Sequence, residues 1–284
     1  MRYRLFSALC AGVCWLSLGA ASSRADFTVS ITSSQDSMIF QNNVNNSAGG
    51  AIDMFAGTNT AQSVRRALVE FDIAGKIPTG AIIESVTLTL TYAMAAGSGG
   101  GGGGSAFYDI GLHRLLQSWG EGTAELGQGP GGVGQGAPAG NGDVTWNARF
   151  FGSQNWTTPG GDFVSTASAV ASVGGLTVNI PFMWSSSTMV SDVQQWLDSP
   201  TSNDGWMLIG QETGIQTFRG FYTKEEPNEA FRPTLTVNYT LNAVPEPASA
   251  WMTACGLGIV LTAVRVRRAG RKCGPGRDSS PSVA

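Results

Sequence analysis

Histidine and cysteine are nearly absent from this 284-residue chain, and that absence bounds its chemistry. The only histidine is His113, and the four cysteines are Cys10, Cys14, Cys255 and Cys273. All four cysteines lie near the ends, so residues 26–243 contain none. This excludes a disulfide framework, a thiolate zinc site and a cysteine nucleophile from the central region. One histidine between Leu112 and Arg114 argues against a catalytic triad or a histidine-based metal centre, because such sites need converging partners. Positive charge is also scarce there. Residues 26–243 carry eight Lys and Arg against 18 Asp and Glu, a net charge of −10. Nucleic-acid affinity comes from neutralising phosphates, so nucleic acid is a poor partner. The same charge is compatible with calcium, or simply with solubility.

The two ends differ from the centre. Arg2 and Arg4 precede an apolar run at 5–18, and Ser23-Arg24-Ala25 then offers small residues around a cleavage point. The run falls short of the roughly 20 residues that span a bilayer. The pattern reads as a secretory signal, cut by signal peptidase after Ala25 or, as second choice, after Ala21. At the other end Pro245-Glu246-Pro247 precedes an apolar stretch at 248–264 and the basic cluster Arg265, Arg267, Arg268, Arg271 and Lys272. At about 1.5 Å per residue the stretch reaches about 26 Å as a helix, enough for a thin bilayer. The basic cluster predicts a cytoplasmic end, with the domain outside.

This tail, at residues 244–272, resembles the PEP-CTERM sorting signal of Gram-negative bacteria that secrete exopolysaccharide. The resemblance implies export across the inner membrane and transient anchoring by helix 248–264. It also implies exosortase processing near Pro245, Glu246 and Pro247, and release to the cell surface or matrix. Residues 273–284 form a polar tail beyond it.

Strand patterns dominate the middle. Residues 27–31, 67–72 and 83–92 alternate, most clearly where Val86, Leu88, Leu90 and Tyr92 face opposite Thr87, Thr89 and Thr91. Further strands are predicted at 108–115, 143–146, 176–182, 206–211, 216–222 and 235–239. Val190, Val193, Trp196 and Leu197 recur at three and four residues, which predicts a short helix over 189–197 packed on a sheet. The glycine tract at 99–104, within a loop at 97–105, and the Gly-rich stretch 120–142 bury too little apolar surface to offset ordering and read as flexible surface loops. Many short strands joined by such turns predict an all-β, two-sheet, jelly-roll-like β-sandwich with one short helix.

Residues 26–243 also resemble the DNRLRE domain, a family of secreted β-sandwich modules. The resemblance is carried in order by Arg65-Arg66-Ala67-Leu68-Val69-Glu70-Phe71-Asp72-Ile73, Ile77-Pro78-Thr79-Gly80-Ala81, the strand through Val86, Leu88 and Leu90, Trp119-Gly120-Glu121 and Val144-Thr145-Trp146-Asn147. Val190-Ser191-Asp192-Val193 with Trp196, then Asn203, Gly205 and Trp206, and finally residues 221–225 and Arg232-Pro233-Thr234-Leu235-Thr236-Val237 complete it. It implies a jelly roll of the kind that accompanies polysaccharide-active enzymes and in some relatives binds carbohydrate. It also implies framework positions for Trp119, Trp146, Trp196 and Trp206.

Two other tryptophans, Trp156 and Trp184, sit among polar neighbours. Each could stack on a sugar ring or fold back on the sheet. Arg219 and Lys224 could recognise a uronate carboxylate, whereas Arg66 is expected to pair with nearby Glu70 or Asp72. Glu121, Glu125, Asp162, Glu225, Glu226 and Glu229 offer carboxylates for glycoside hydrolysis, but no catalytic signature surrounds them. The expected function is therefore a non-catalytic surface or matrix protein associated with exopolysaccharide. A structural coat protein without a ligand is the second reading, and a polysaccharide hydrolase or lyase the third.

Overall fold

A computed structural model of the chain describes residues 25–95, 105–125 and 135–241. The predicted signal segment before Ala25, the tract at 99–104 and the whole Pro-Glu-Pro tail lie outside the described residues. No helix among the described residues is long and apolar enough to cross a membrane.

The chain begins with strands β1 (Ala25–Thr32), β2 (Gln35–Phe40), β3 (Asn46–Ser47), β4 (Asp53–Thr58), β5 (Val64–Glu70), β6 (Ile82–Ala95) and β7 (Tyr108–Arg114). Short strands β8 (Ala137–Pro138), β9 (Ala148–Phe150) and β10 (Gln154–Asn155) follow, then β11 (Ala169–Val173) and β12 (Pro181–Trp184). Helix α1 (Ser187–Asp198) precedes β13 (Trp206–Ile209), β14 (Arg219–Tyr222) and β15 (Thr234–Leu241). Eleven strands join one curled antiparallel sheet in the order β1-β15-β6-β14-β4-β5-β13-β7-β11, with β12 added to β6 and β2 to β5.

Side-chain alternation explains where the core sits. Val86, Leu88, Leu90 and Tyr92 of β6 are fully buried, and they meet Leu235 and Val237 of β15 in the main core. Strands β5 and β13 are covered on both faces. Ala67, Val69, Trp206 and Leu208 enter the main core, while Leu68 and Met207 enter a second cluster with Trp119, Trp146 and Trp156. A buried Leu, Val or Phe contributes about 1.5–3 kcal/mol, so two faces give this strand pair unusual weight.

Helix α1 forms where the three-and-four spacing predicts it. Ser186 caps its start by accepting the Met189 N–H at 3.0 Å. Met189, Val193, Trp196 and Leu197 turn inward, and Trp196 meets Trp206 edge-on at 4.5 Å. Asp192 is buried on the same helix. It receives the Ser168 hydroxyl at 2.5 Å and the Trp206 N–H at 3.0 Å, and pairs with Arg114 at 3.2 Å.

Four expectations need correction. Residues 143–146 form no strand, because local turns take their polar groups: the Asp143 N–H bonds Gly140 and the Thr145 Oγ1 accepts the Ala148 N–H. The strand predicted at 176–182 starts only at Pro181, and that at 216–222 only at Arg219. The described arms of the 120–142 stretch are packed rather than loose. The Gly50 N–H bonds the Ala124 carbonyl at 2.8 Å, and β8 pairs with β3.

Candidate functional site

The predicted sugar-stacking tryptophans are core residues. Trp156 is 4 % exposed and donates its indole N–H to the Thr145 carbonyl at 3.0 Å. Trp184 is fully buried, donates to the Ile110 carbonyl at 2.8 Å and meets Phe221 edge-on at 5.7 Å. Neither can stack on a ligand. Once a backbone carbonyl satisfies the N–H, nothing opposes burial of the large apolar ring. Trp119, Trp146, Trp196 and Trp206 are also buried.

Arg219 is likewise unsuited to a uronate. It is fully buried, donates to the carbonyls of Ala106, Thr217 and Phe218, and lies over Tyr108 at 4.6 Å. Arg66 pairs with Glu212 rather than with Glu70 or Asp72. Its Nε and Nη2 reach the two carboxylate oxygens at 2.6 and 2.9 Å, and its guanidinium packs on Trp146 and Phe163. His113 bonds the Val164 carbonyl through Nδ1 at 2.9 Å and meets Phe163 edge-on. The six candidate carboxylates also separate. Asp162 accepts the N–H groups of Thr157 and Thr158, Glu226 accepts the Asn228 N–H, Glu229 pairs with Arg232, and Glu125 is exposed. Only Glu121 and Glu225 come together.

Two arrangements emerge that no single segment reveals. The first is a polar face. Antiparallel register sets Thr28 beside Asn238 and Asn238 beside Ser85, Ser30 beside Thr236 and Thr236 beside Thr87, and Thr32 beside Thr234 and Thr234 beside Thr89. These nine side chains form a three-by-three grid across β1, β15 and β6, on the face opposite the core, and none is buried. Strand geometry spaces them about 4.8 Å across and about 6.8 Å along the sheet. The grid holds hydroxyls and one amide, with no charge. Its first row is hydrogen-bonded throughout: Thr28 donates to Asn238 Oδ1 at 2.6 Å, and Asn238 Nδ2 donates to Ser85 at 2.7 Å. A shallow hollow at this end is lined by Thr28, Ser85, Asn238, Phe27, Tyr239 and Glu84, among others.

The second is an acidic cluster where β2, the loop after β7 and the β14–β15 connection meet. Asp36, Glu121 and Glu225 each place a carboxylate oxygen within 4.8 Å of the others. Asp36 is 1 % exposed. Its Oδ2 accepts the Ser33 hydroxyl at 2.8 Å and the Lys224 N–H at 2.9 Å, while its own N–H donates to Glu121 at 2.7 Å. The Lys224 ammonium lies 3.0 Å from Glu121 and 2.5 Å from Glu225. Burial, reinforced by the negative charge of Glu225, pushes the Asp36 carboxyl up to about 8. Burial raises Glu121 as well, against the pull of the Asp36 N–H and Lys224. For Lys224, burial acts to lower the value, but hydrogen bonds to Glu225 and Glu121 outweigh it and the net shift is upward. Gly49 permits the close approach, since a β-carbon there would overlap the Glu121 carbonyl. The cluster was missed because its members meet only through the topology.

No family model and no curated protein matches this chain.

Proposed function

We propose that this is an exported, non-catalytic surface or matrix protein whose all-β domain associates with exopolysaccharide. The observation that carries the reading is the uncharged grid on β1, β15 and β6. Short hydroxyl and amide side chains at regular spacing offer donors and acceptors to a polyhydroxylated chain lying across them, at little rotamer cost. A grid without Lys or Arg, on a domain of net charge −10, suits a neutral polysaccharide better than an acidic one.

Two further features support this reading. The single curled antiparallel sheet, wrapped around one main core, is compatible with a two-layer, jelly-roll-like arrangement. The blocks that resemble the DNRLRE domain supply buried framework residues such as Trp119, Trp196 and Trp206. The Pro245-Glu246-Pro247 tail then suggests sorting by exosortase, after export and cleavage of the signal by signal peptidase, from a transient membrane anchor to the surface of a polysaccharide-producing Gram-negative cell.

Co-sedimentation of the full chain with the host's own exopolysaccharide, and with insoluble cellulose as a neutral probe, tests the reading. Thr236 occupies the centre of the grid, and Thr236→Lys places a long charged chain there. Binding should fall about tenfold with an unchanged melting temperature. Equal binding by parent and variant removes the grid from the account. Failure of the parent to bind either material favours the coat-protein reading. New reducing or unsaturated ends during incubation favour the enzyme.

A further inference from the structure

We propose that Asp36, Glu121 and Glu225 form a binding site for a hard divalent cation of the calcium class, with Lys224 as its exchangeable counter-ion. This does not rest on the polysaccharide reading.

The first argument is charge. Ligating a metal requires each carboxylate to be deprotonated, Asp36 included, and three ionised carboxylates facing one ammonium leave two negative charges, which a divalent cation matches. The second is the state of individual oxygens. Asp36 Oδ1 and Glu225 Oε2 are buried and have no hydrogen-bond partner among the described residues, although the other oxygen of each carboxylate is well bonded. Buried polar atoms are rarely left so, and two in one cluster call for a ligand. Asp36 belongs to a strand held against Val69 of β5, so its carboxylate cannot swing away to find water. An acceptor with no donor in reach is suited to a cation.

The donor set decides the class of ion. It is all oxygen, with neither cysteine nor histidine, which disfavours zinc and copper. Its members come from three separate segments, and both glutamates are part-exposed at 20 and 23 % of their side chains, leaving room for water ligands. Calcium accepts six to eight oxygens in adaptable geometry, whereas magnesium demands a near-ideal octahedron. Lys224 is not fixed either. Its side chain is 26 % exposed, and its flexible stem can carry the ammonium to solvent when the cation enters.

A bound ion would cross-link β2, the loop after β7 and the β14–β15 connection. Binding would therefore add to stability by mass action. In a domain without disulfides this supplies the staple that cysteines provide elsewhere.

The test uses the full chain, stripped with chelator and dialysed. Calcium chloride is titrated calorimetrically, and terbium emission is followed with excitation of tryptophan, since Trp119 shares a loop with Glu121. The proposal expects one saturable site, terbium emission quenched by calcium, and a melting temperature that rises with calcium more than with equal magnesium. Glu225→Gln and Asp36→Asn should weaken binding by about tenfold or more, because affinity follows ligand charge. Lys224→Met should tighten it, because the competing charge is gone. If Asp36→Asn fails to fold, the part-exposed Glu225→Gln still decides. No heat, no terbium emission and a melting temperature indifferent to calcium would show Lys224 to be the permanent counter-ion and overturn the site. Calcium binding that Glu225→Gln leaves unchanged would place the ion elsewhere and overturn it equally.

Discussion

Replacing Trp184 separates the two roles that its sequence context allows. In the structure the ring is fully buried against Phe221, and its N–H satisfies the Ile110 carbonyl. Truncating a buried tryptophan to alanine destabilises by about 3–5 kcal/mol. The stranded Ile110 carbonyl adds about 1–3 kcal/mol unless water enters. Trp184→Ala should therefore lose about 4–8 kcal/mol, much of the roughly 5–15 kcal/mol that holds a typical domain. Trp184→Phe keeps most of the apolar volume and loses the hydrogen bond, so about 1–3 kcal/mol is expected. Urea unfolding, followed by near-ultraviolet dichroism and the remaining tryptophan emission, reads both. The midpoint should fall in the order parent, Phe, Ala with little change of slope. A loss below about 1 kcal/mol for Trp184→Ala, together with lost polysaccharide binding, would refute burial and restore a surface stacking role.

Three other outcomes follow from the same geometry. Gly49→Ala would push a β-carbon into the Glu121 carbonyl, so a loss of about 1–3 kcal/mol by urea unfolding is expected, and an unchanged midpoint would show that the loop yields freely. Burial raises Glu70 to about 7, with Asp204, Asp72 and Glu121 adding to the rise and the Gln35 amide opposing it. Burial, with Glu226 close by, raises Asp53 to about 6. Both folded values exceed the unfolded ones, so the stability they confer is complete below about pH 4 and is lost as pH rises through 6 and 7. In chelator, melting should be lower at pH 8 than at pH 5, and a flat or rising profile would contradict the burial of these groups. Intact-mass analysis of protein from a native host should show a start at Asp26 and an end near Pro247, and recovery of chains that retain residues 248–284 would count against processing.

How much of the fold was legible in sequence follows from which residues are half-buried. β1, β6 and β15 alternate because one face meets the core and the other meets water, so a period of two is visible. Helix α1 shows its three-and-four spacing for the same reason. β2 and β4 gave no such signal. Every residue of β4 is buried, and β2 carries Asp36 and Ser37 inside the protein, so neither alternates nor reads as apolar. Trp184 misled through its neighbours. Met183 beside it is 60 % exposed and the serines after it are polar, yet the pleat turns Trp184 to the opposite side.

The candidate sites were less legible than the fold because each depends on register or topology. Thr87 and Thr89 could be seen to share a face of β6, as could Thr234 and Thr236 of β15, but nothing in either segment says that these faces abut in step. A shift of one residue in the β15–β6 register would turn Thr234, Thr236 and Asn238 towards the core and Leu235 and Val237 outward. The buried leucine and valine therefore hold the grid in place, and the uncharged outer face is the counterpart of the apolar inner one. The acidic cluster follows a different logic. Asp36 is held by the β2–β5 pairing, Glu121 by glycines that let its loop close on Gly49, and Glu225 by the turn that follows β14. Each segment alone presents one solvated acid, with no spacing to mark it. What the fold adds is burial and mutual repulsion, and these are the conditions under which three ordinary carboxylates become a cation site.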